Sequence, residues 1–321
     1  MIYFQSEAGI KEIVFPENEN EDGAIGKFLW ADLLNMDHQR ESNIERLLKI
    51  NIPSPSEIND IEVSTRLYSQ DNVLYMTASL MIKSDTDTPE LHGVTFVLMP
   101  QSLVTVRYCD PMAFQNTRKA ICASKKNSYT ALEIFCILLE AAIERLADVI
   151  ENVEKKIDVM GKKLFQPSRE SFNFQEMLQC IGQQGDRVSK THESLVTLGR
   201  MISFTLETLS ADIPKDSHSQ LVILSKDIIA LNEHTTFISN KINFLLDATL
   251  GLINIEQNKI IKIFSVGTVI FSPPTLIASI YGMNFHMMPE LSWHLGYPFA
   301  LGLMLVSSIS SYRYFKQRRW L

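Results

Sequence analysis

The chain is poor in the residues that disulfide-stapled and metal-clustered proteins depend on. Its four cysteines, Cys109, Cys122, Cys136 and Cys180, lie far apart with no CxxC pair. That excludes a zinc knuckle and a small disulfide scaffold, and it suits a reducing compartment. Positive charge is also scarce. Thirty Lys and Arg stand against 37 Asp and Glu, a net charge of −7 that argues against nucleic acid as a partner. The HExxH and GxSxG patterns are missing, and the seven histidines show no ligand spacing, so no enzyme is expected and no organic cofactor. There is no phosphate-cradling GxxxxGK loop either, hence no sign of ATP use. The opening MIYFQSEAGIKEIVF has no basic stretch followed by an apolar one, so no signal peptide is expected.

What remains is an ordinary globular composition, 45% hydrophobic and 21% charged over 321 residues, enough for two domains. A mean hydropathy near zero hides an uneven distribution. From Ile263 to Phe285 the chain runs 23 residues without a formal charge. As a helix this would cover ~34 Å, against a hydrocarbon core of ~30 Å. A second uncharged run of 18 residues, Leu295 to Tyr312, follows closely and is near the lower limit for spanning. Either run alone could be a buried helix of a soluble protein; two at the C-terminal end favour a transmembrane hairpin. Lys259 and Lys262 precede the first run, and Arg313, Lys316, Arg318 and Arg319 follow the second. The loop between them, 286–294, has no Lys or Arg, which places both termini in the cytoplasm and the loop outside.

The remainder divides by texture. Residues 1–126 suggest an α/β cytoplasmic domain, with strands expected at Ile10–Phe15, Glu62–Tyr68, Val73–Lys83, Gly93–Leu98 and Leu103–Tyr108. A helix is expected over Asp37–Ile50, and the acidic run Glu17–Asp22 reads as a solvated loop lacking the EF-hand ligand pattern. Over 127–214 long antiparallel helices take over, with Ile143, Leu146, Ile150, Val153, Ile157, Met160 and Leu164 stepping by 3 and 4. Pro167 interrupts them, a second helix is expected from Phe174 to Ser210, and Pro214 marks the next turn. Residues 215–285 form one long helix that includes the first span, about 263–283. After the external loop come the second span, 295–312, and a basic cytoplasmic tail, 313–321.

One face of the long helix is unusual. Asp247, Gly251, Asn254, Asn258, Ile261, Ser265, Thr268, Ser272, Thr275 and Ser279 are spaced alternately by 4 and 3. Small hydroxyls at this spacing either pack against neighbouring helices or line a wet path. The cytoplasmic continuation into Asn258, Asn254 and Asp247 would give cations a polar, acidic entrance. A two-span hairpin cannot enclose a channel, so a pore needs a symmetric ring of chains. Pro273 and Pro274 remove two backbone donors in mid-span, leaving the carbonyls of Val269 and Ile270 to find other partners.

The first span ends Tyr281-Gly282-Met283-Asn284-Phe285. With Met288-Pro289-Glu290-Leu291, Trp293, Gly296-Tyr297-Pro298, Tyr314-Phe315-Lys316 and Trp320-Leu321, it resembles the CorA family of divalent-cation channels, whose hallmark is that Gly-Met-Asn triplet. The stretch Gly251 to Phe264 resembles the enterobacterial-type magnesium transporter branch, and the motif-dense part covers 244–321. The resemblance implies a funnel-shaped homopentameric channel in the inner membrane of a bacterium. It would conduct Mg²⁺, often also Co²⁺ and Ni²⁺, and be gated by intracellular Mg²⁺. Gly282, Met283 and Asn284 would form the selectivity filter, and Asp247 an acidic ring. Asn258 would form an Asn ring, and Phe264 with Ile261 a hydrophobic constriction. For the regulatory metal, Asp227 is the one acidic residue singled out. The position often held by Glu after the Asn-Phe pair is His286 here, leaving Glu290 as the acidic residue of the loop. A loop bearing His286, Met287, Met288 and His294 also leaves a zinc transporter of the same superfamily open. So is a membrane-anchored sensor without transport.

Gly-Met-Asn chemistry fits hydrated Mg²⁺, which gives up its octahedral water shell reluctantly. Neutral oxygens of Gly282 and Asn284 around a ring can accept hydrogen bonds from those waters without holding the ion too tightly. The same triplet also suits a helix C-cap, and both roles can coexist.

Overall fold

The computed structural model describes residues 2–6, 9–13, 28–36, 38–48, 50–54, 58, 66–86, 88–123, 126, 128–166, 173–209, 213–283, 288–289, 293–318 and 320. They fall into two units, Met1–Leu246 and Asp247–Leu321. The first begins with a mixed part: β1 (Ile2–Ser6), β2 (Gly9–Ile13), β3 (Trp30–Leu34), α1 (His38–Leu48), β4 (Leu67–Gln70), β5 (Val73–Ile82), β6 (Glu90–Leu98), β7 (Leu103–Arg107) and α2 (Met112–Ala123). Three long helices follow, α3 (Ala131–Phe165), α4 (Phe174–Thr208) and α5 (Lys215–Tyr281), the last continuing into the second unit, which also holds α6 (Gly296–Gln317).

The strands make one seven-stranded sheet in the order β2-β1-β3-β7-β6-β5-β4. All neighbours are antiparallel except β3 and β7, which pair in parallel with Asp32 opposite Thr105. Local chemistry sets the register at the β4–β5 turn. Gln70 pairs with Val73, so two residues close the hairpin, and Asp71 and Asn72 both take positive φ (51° and 61°). That is the twist-matched turn that Asp and Asn tolerate better than other side chains.

Both sheet faces are covered, and the period-2 alternation assigns side chains to each. Ala31, Leu33, Tyr75, Val97, Val104 and Val106 pack in one core with Ile44 of α1. On the opposite face lie Trp30, Asp32, Phe96, Thr105 and Arg107, all buried. Here Phe96 meets Phe114 of α2 and Phe135 of α3, at 6.2 and 5.7 Å between ring centroids. The same face buries an ion pair with its hydrogen bonds provided for. Arg107 donates to both Asp32 oxygens at 2.8 Å and to Cys109 O and Asp110 Oδ1 at 2.7 Å. Thr105 Oγ1 donates to Asp32 Oδ1 and accepts from Trp30 Nε1, each at 3.0 Å. Burial alone would lower the Arg107 pKa; the bonds and charges of Asp32 and Asp110 together outweigh it and raise the value.

The long helices start where side chains satisfy their free N–H groups. Thr130 and Glu133 form a reciprocal capping box on α3, and Asn173 Oδ1 accepts from Gln175 N and Glu176 N on α4. The stripe expected on α3 is buried at Ile143, Leu146, Ile150, Val153, Ile157 and Leu164, with Met160 half-buried. On α4, a Cβ built at Gly185 would meet Ile242 at 3.9 Å and one at Gly199 would meet Ile228 at 3.3 Å. One number rises as the other falls, so α4 and α5 are antiparallel. Gln220–Glu140, His234–Glu154 and Lys241–Asp158 contacts rise together, so α3 and α5 run in parallel. The three helices therefore alternate in direction, as their short connections require.

Several elements differ from the sequence expectation. β1, β3 and α2 were not anticipated; β3 reads Trp-Ala-Asp-Leu-Leu, whose Ala and Asp are poor strand formers, and its pairing with β7 overrides that propensity. The expected strand over Glu62–Tyr68 is described only from its end, as β4, and Glu17–Asp22 lies outside the described residues. α6 does not stop at Tyr312 but continues through Arg313 and Lys316 to Gln317.

Candidate ion pathway

α5 is 67 residues long, ~100 Å at 1.5 Å per residue. Among the described residues it is the helix long and apolar enough, by length and composition, to cross a membrane. Every member of its 4-3 stripe is exposed, from Asp247, Gly251, Asn254 and Asn258 through Ile261, Ser265, Thr268, Ser272, Thr275 and Ser279. The stripe is a continuous open face about 48 Å long, from 32 steps of 1.5 Å. Phe264 is 73% exposed beside it.

The threonine hydroxyls carry a polarity that sequence spacing did not reveal. Thr268 Oγ1 donates to Phe264 O at 2.9 Å, and Thr275 Oγ1 donates to Phe271 O at 2.8 Å. A hydroxyl that gives its proton to the preceding helical turn keeps only acceptor lone pairs for what approaches from outside. Such a surface suits a cation or the water protons of a hydrated one. Helical propensity alone hints at this, since Thr in a helix commonly bonds the carbonyl four residues back.

Pro273 and Pro274 lie within the helix, which continues through them to Tyr281. They withhold the N–H groups that Val269 O and Ile270 O would otherwise receive. Two carbonyls thus lose their helical donors in the middle of the uncharged stretch.

The helix ends at the triplet. Gly282 N–H still donates to Ala278 O at 2.9 Å, and Met283 N–H tightens to Ile280 O at 3.2 Å. A Cβ at position 282 would come within 3.2 Å of Ala278 O, a tight contact that would require the backbone to give by a few tenths of an ångström. Gly282 and Met283 are exposed, whereas Asn284 and Glu290, with His286 between them, lie outside the described residues.

Charge frames this stretch rather than filling it. Glu256 and Lys259 lie 3.7 Å apart, Lys262 follows, and Ile263 to Met283 are uncharged. Asp227, farther up α5, is exposed. Among the described residues no three His, Cys, Asp or Glu side chains come together as a metal site.

α6 supplies a second apolar helix of 22 residues. Gly296 and Ala300 are its buried positions, while Phe299, Leu301, Leu303, Leu305, Val306 and Ile309 are exposed.

A buried α/β layer, three alternating helices and an exposed apolar end define an α/β protein with one helix long and apolar enough to cross a membrane and an open, oxygen-bearing face along it. The chain belongs to the CorA family: the family model described as CorA-like Mg²⁺ transporter protein matches residues 26–317. Among curated relatives, the magnesium transport protein CorA of Pasteurella multocida is 33% identical over 304 residues, 95% of each chain. That of Wolinella succinogenes is 35% identical over 297 residues, 91% of each. The solved CorA magnesium transporter of Methanocaldococcus jannaschii has the same fold, with a TM-score of 0.75 at 19% identity, covering 97% of this chain and 94% of that one. The ZntB cytoplasmic domain of Vibrio parahaemolyticus is similar at a TM-score of 0.56 and 10% identity, over 78% of this chain and 96% of that domain.

Proposed function

We propose that this chain forms a passive Mg²⁺ influx channel, open also to Co²⁺ and Ni²⁺, in a bacterial inner membrane. The observation that carries the proposal is the unbroken exposed stripe from Asp247 to Ser279, with threonine acceptors turned outward. One chain cannot enclose that face, so a symmetric ring of chains is needed, and the resemblance to the CorA family implies that the ring is a homopentamer. Ile223, Ile229, Phe237 and Phe244, exposed on the same helix, offer apolar surface for contacts between copies. Asp247 and Asn258 then face the cytoplasmic entrance, Ile261 and Phe264 narrow the path, and Gly282, Met283 and Asn284 form its mouth. Glu290 in the external loop attracts cations to it. α5 and α6 both span the bilayer, with both termini in the cytoplasm.

Membrane potential suffices as the driving force. Each charge gains ~2.3 kcal/mol per 100 mV, so a divalent ion gains about 4.6. Intracellular Mg²⁺ closes the channel by bridging acidic groups of neighbouring subunits. Asp227 offers one carboxylate, and other subunits must supply the rest.

The test is Mg²⁺ and Zn²⁺ influx into proteoliposomes under an inside-negative potential without a pH gradient, for wild type and Asn284→Ala. Mg²⁺ influx lost on substitution is expected. Zn²⁺ flux alone, or flux only with a pH gradient, would make the protein a zinc transporter. No flux from a folded oligomer would leave a membrane-anchored sensor.

A further inference from the structure

We propose that the C-terminal end of α6 is a binding site for anionic phospholipid headgroups, reading their phosphates with a collar of cations braced on aromatic rings. The proposal rests on the reading that α6 spans the bilayer and ends on its cytoplasmic side.

The collar begins where the uncharged run stops. α6 continues past Tyr312 to Gln317, carrying Arg313 and Lys316, with Arg318 next, and all three are exposed. Lys316 Nζ lies 5.9 Å above the Tyr312 ring and Arg318 Cζ lies 5.8 Å above the Tyr314 ring. These contacts restrain the cations while leaving their N–H donors open to an anion. Trp320 folds back, its N–H donating to Phe315 O at 3.1 Å and its ring 5.7 Å from that of Phe315. Tyr312, Tyr314 and Trp320 remain 45%, 56% and 48% exposed, amphipathic rings of the kind that sit at headgroup depth.

Two features select lipid over a protein groove. First, at about 100° per helical residue Arg313 and Lys316 lie about 60° apart, whereas Arg318, just past the helix end, lies over Tyr314 on the other side of Arg313, so the three cations cover an arc wider than one helix face. A protein partner reads one face, whereas a headgroup layer surrounds the helix. The exposed apolar side chains above, from Phe299 to Ile309, are likewise distributed around α6. Second, residues 291–321 include no Asp or Glu, so the four cations among them have no carboxylate side chain within the segment. Phosphate, accepting paired N–H bonds from Arg and a point charge from Lys, supplies the counter-charge.

The full chain and the triple variant R313Q/K316Q/R318Q are reconstituted in vesicles of phosphatidylcholine alone and of an equal mixture with phosphatidylglycerol. Lipid retained per chain after detergent extraction is counted by native mass spectrometry, and Mg²⁺ influx is measured in the same vesicles. Wild type should retain phosphatidylglycerol in preference to phosphatidylcholine, less so as salt rises. Retention should fall about fivefold for each cation removed. The charge-preserving R313K/K316R/R318K should keep it, and the single variant R318Q gives the same reading should the triple variant fail to insert. Equal retention of both lipids by wild type, or unchanged retention in the Gln variants, would overturn the lipid site. Influx without lipid preference removes this proposal and leaves transport standing. Lipid preference without influx supports the collar and removes transport alone.

Discussion

The two units use the same apolar side chains in opposite ways. In Met1–Leu246, Trp30, Phe96, Phe114 and Phe135 are all but fully buried, and the strands alternate between two covered faces. In Asp247–Leu321, Phe264, Phe271 and Val306 are 73%, 71% and 66% exposed. Among the described residues of that unit, Val266 and Ala300 are the large-to-medium apolar side chains that are buried. Charge is divided in the same manner. The first unit buries Asp32 with Arg107 and supplies their hydrogen bonds, whereas the second has no charged residue from Ile263 to Tyr312 except Glu290. Water-driven burial builds the first unit. The second shows no comparable core among its described residues, the pattern expected of helices whose proposed surroundings are lipid and copies of themselves.

The sharpest way to break this contrast is to strip the buried cation of its buried partner. Asp32→Leu leaves Arg107, at 0% exposure, with the partly exposed Asp110 as its remaining carboxylate, which should cost ~3 kcal/mol, while the double variant with Arg107→Met recovers most of it. Trp30 is buried and the other two tryptophans are exposed, so denaturant titration by tryptophan fluorescence reports this unit selectively. An undiminished midpoint in the single variant would show that the pair is not what holds β3 to β7.

A matched pair of truncations follows. Phe135→Ala should cost ~3–5 kcal/mol in the same titration, through lost transfer energy and the cavity left behind. Phe264→Ala should leave that transition unmoved, since its ring contributes nothing to the first unit's core. A shift in both would tie the units together energetically.

Within the second unit, Thr268→Val keeps the shape and removes the outward acceptor. The substitution removes this acceptor from every copy in the ring; a net loss of even one hydrogen bond per passing ion, worth ~1 kcal/mol, should lower Mg²⁺ influx at least about fivefold without changing oligomer assembly. Unchanged influx would assign Thr268 to helix packing instead.

The smallest effect concerns the rung between α3 and α5. The hydrogen bond from Lys241 holds the Asp158 carboxyl below its ordinary value, against the opposing effect of desolvation and helped by the charges of Lys241 and Lys162. A lowered folded pKa stabilises above the unfolded value, near pH 4, and the contribution disappears as pH falls through the folded value. Protection factors along α5 near Lys241, which divide out the intrinsic pH dependence of exchange, should therefore fall on acidification in the wild type. In Lys241→Gln they should already be lower at neutral pH and change less.

Much of the layout was legible because it rests on local signals. The α3 stripe from Ile143 to Leu164 has helical period, Pro214 marks the turn before α5, and the uncharged Ile263–Phe285 run is too long for an ordinary core element. β5, β6 and β7 were legible from β-branched and aromatic runs. β3 was not, because Asp32 looks like a surface residue until Arg107, 75 positions away, is placed beside it. The direction of the helices was equally hidden. That α3 parallels α5 follows from contacts such as His234 with Glu154, and no periodicity encodes them.

For the candidate pathway, sequence by itself determined which residues share a face, since 4-3 spacing is geometry that any helix must obey. It also determined the family through Gly282-Met283-Asn284 and its surroundings. Only the tertiary structure decided that this face stays open along its whole length; that Thr268 and Thr275 turn their protons inward reflects a local helical bond, at which propensity hinted and which the structure made definite. Exposure depends on what packs against a helix. That is set by distances in space, and a one-dimensional pattern does not contain them.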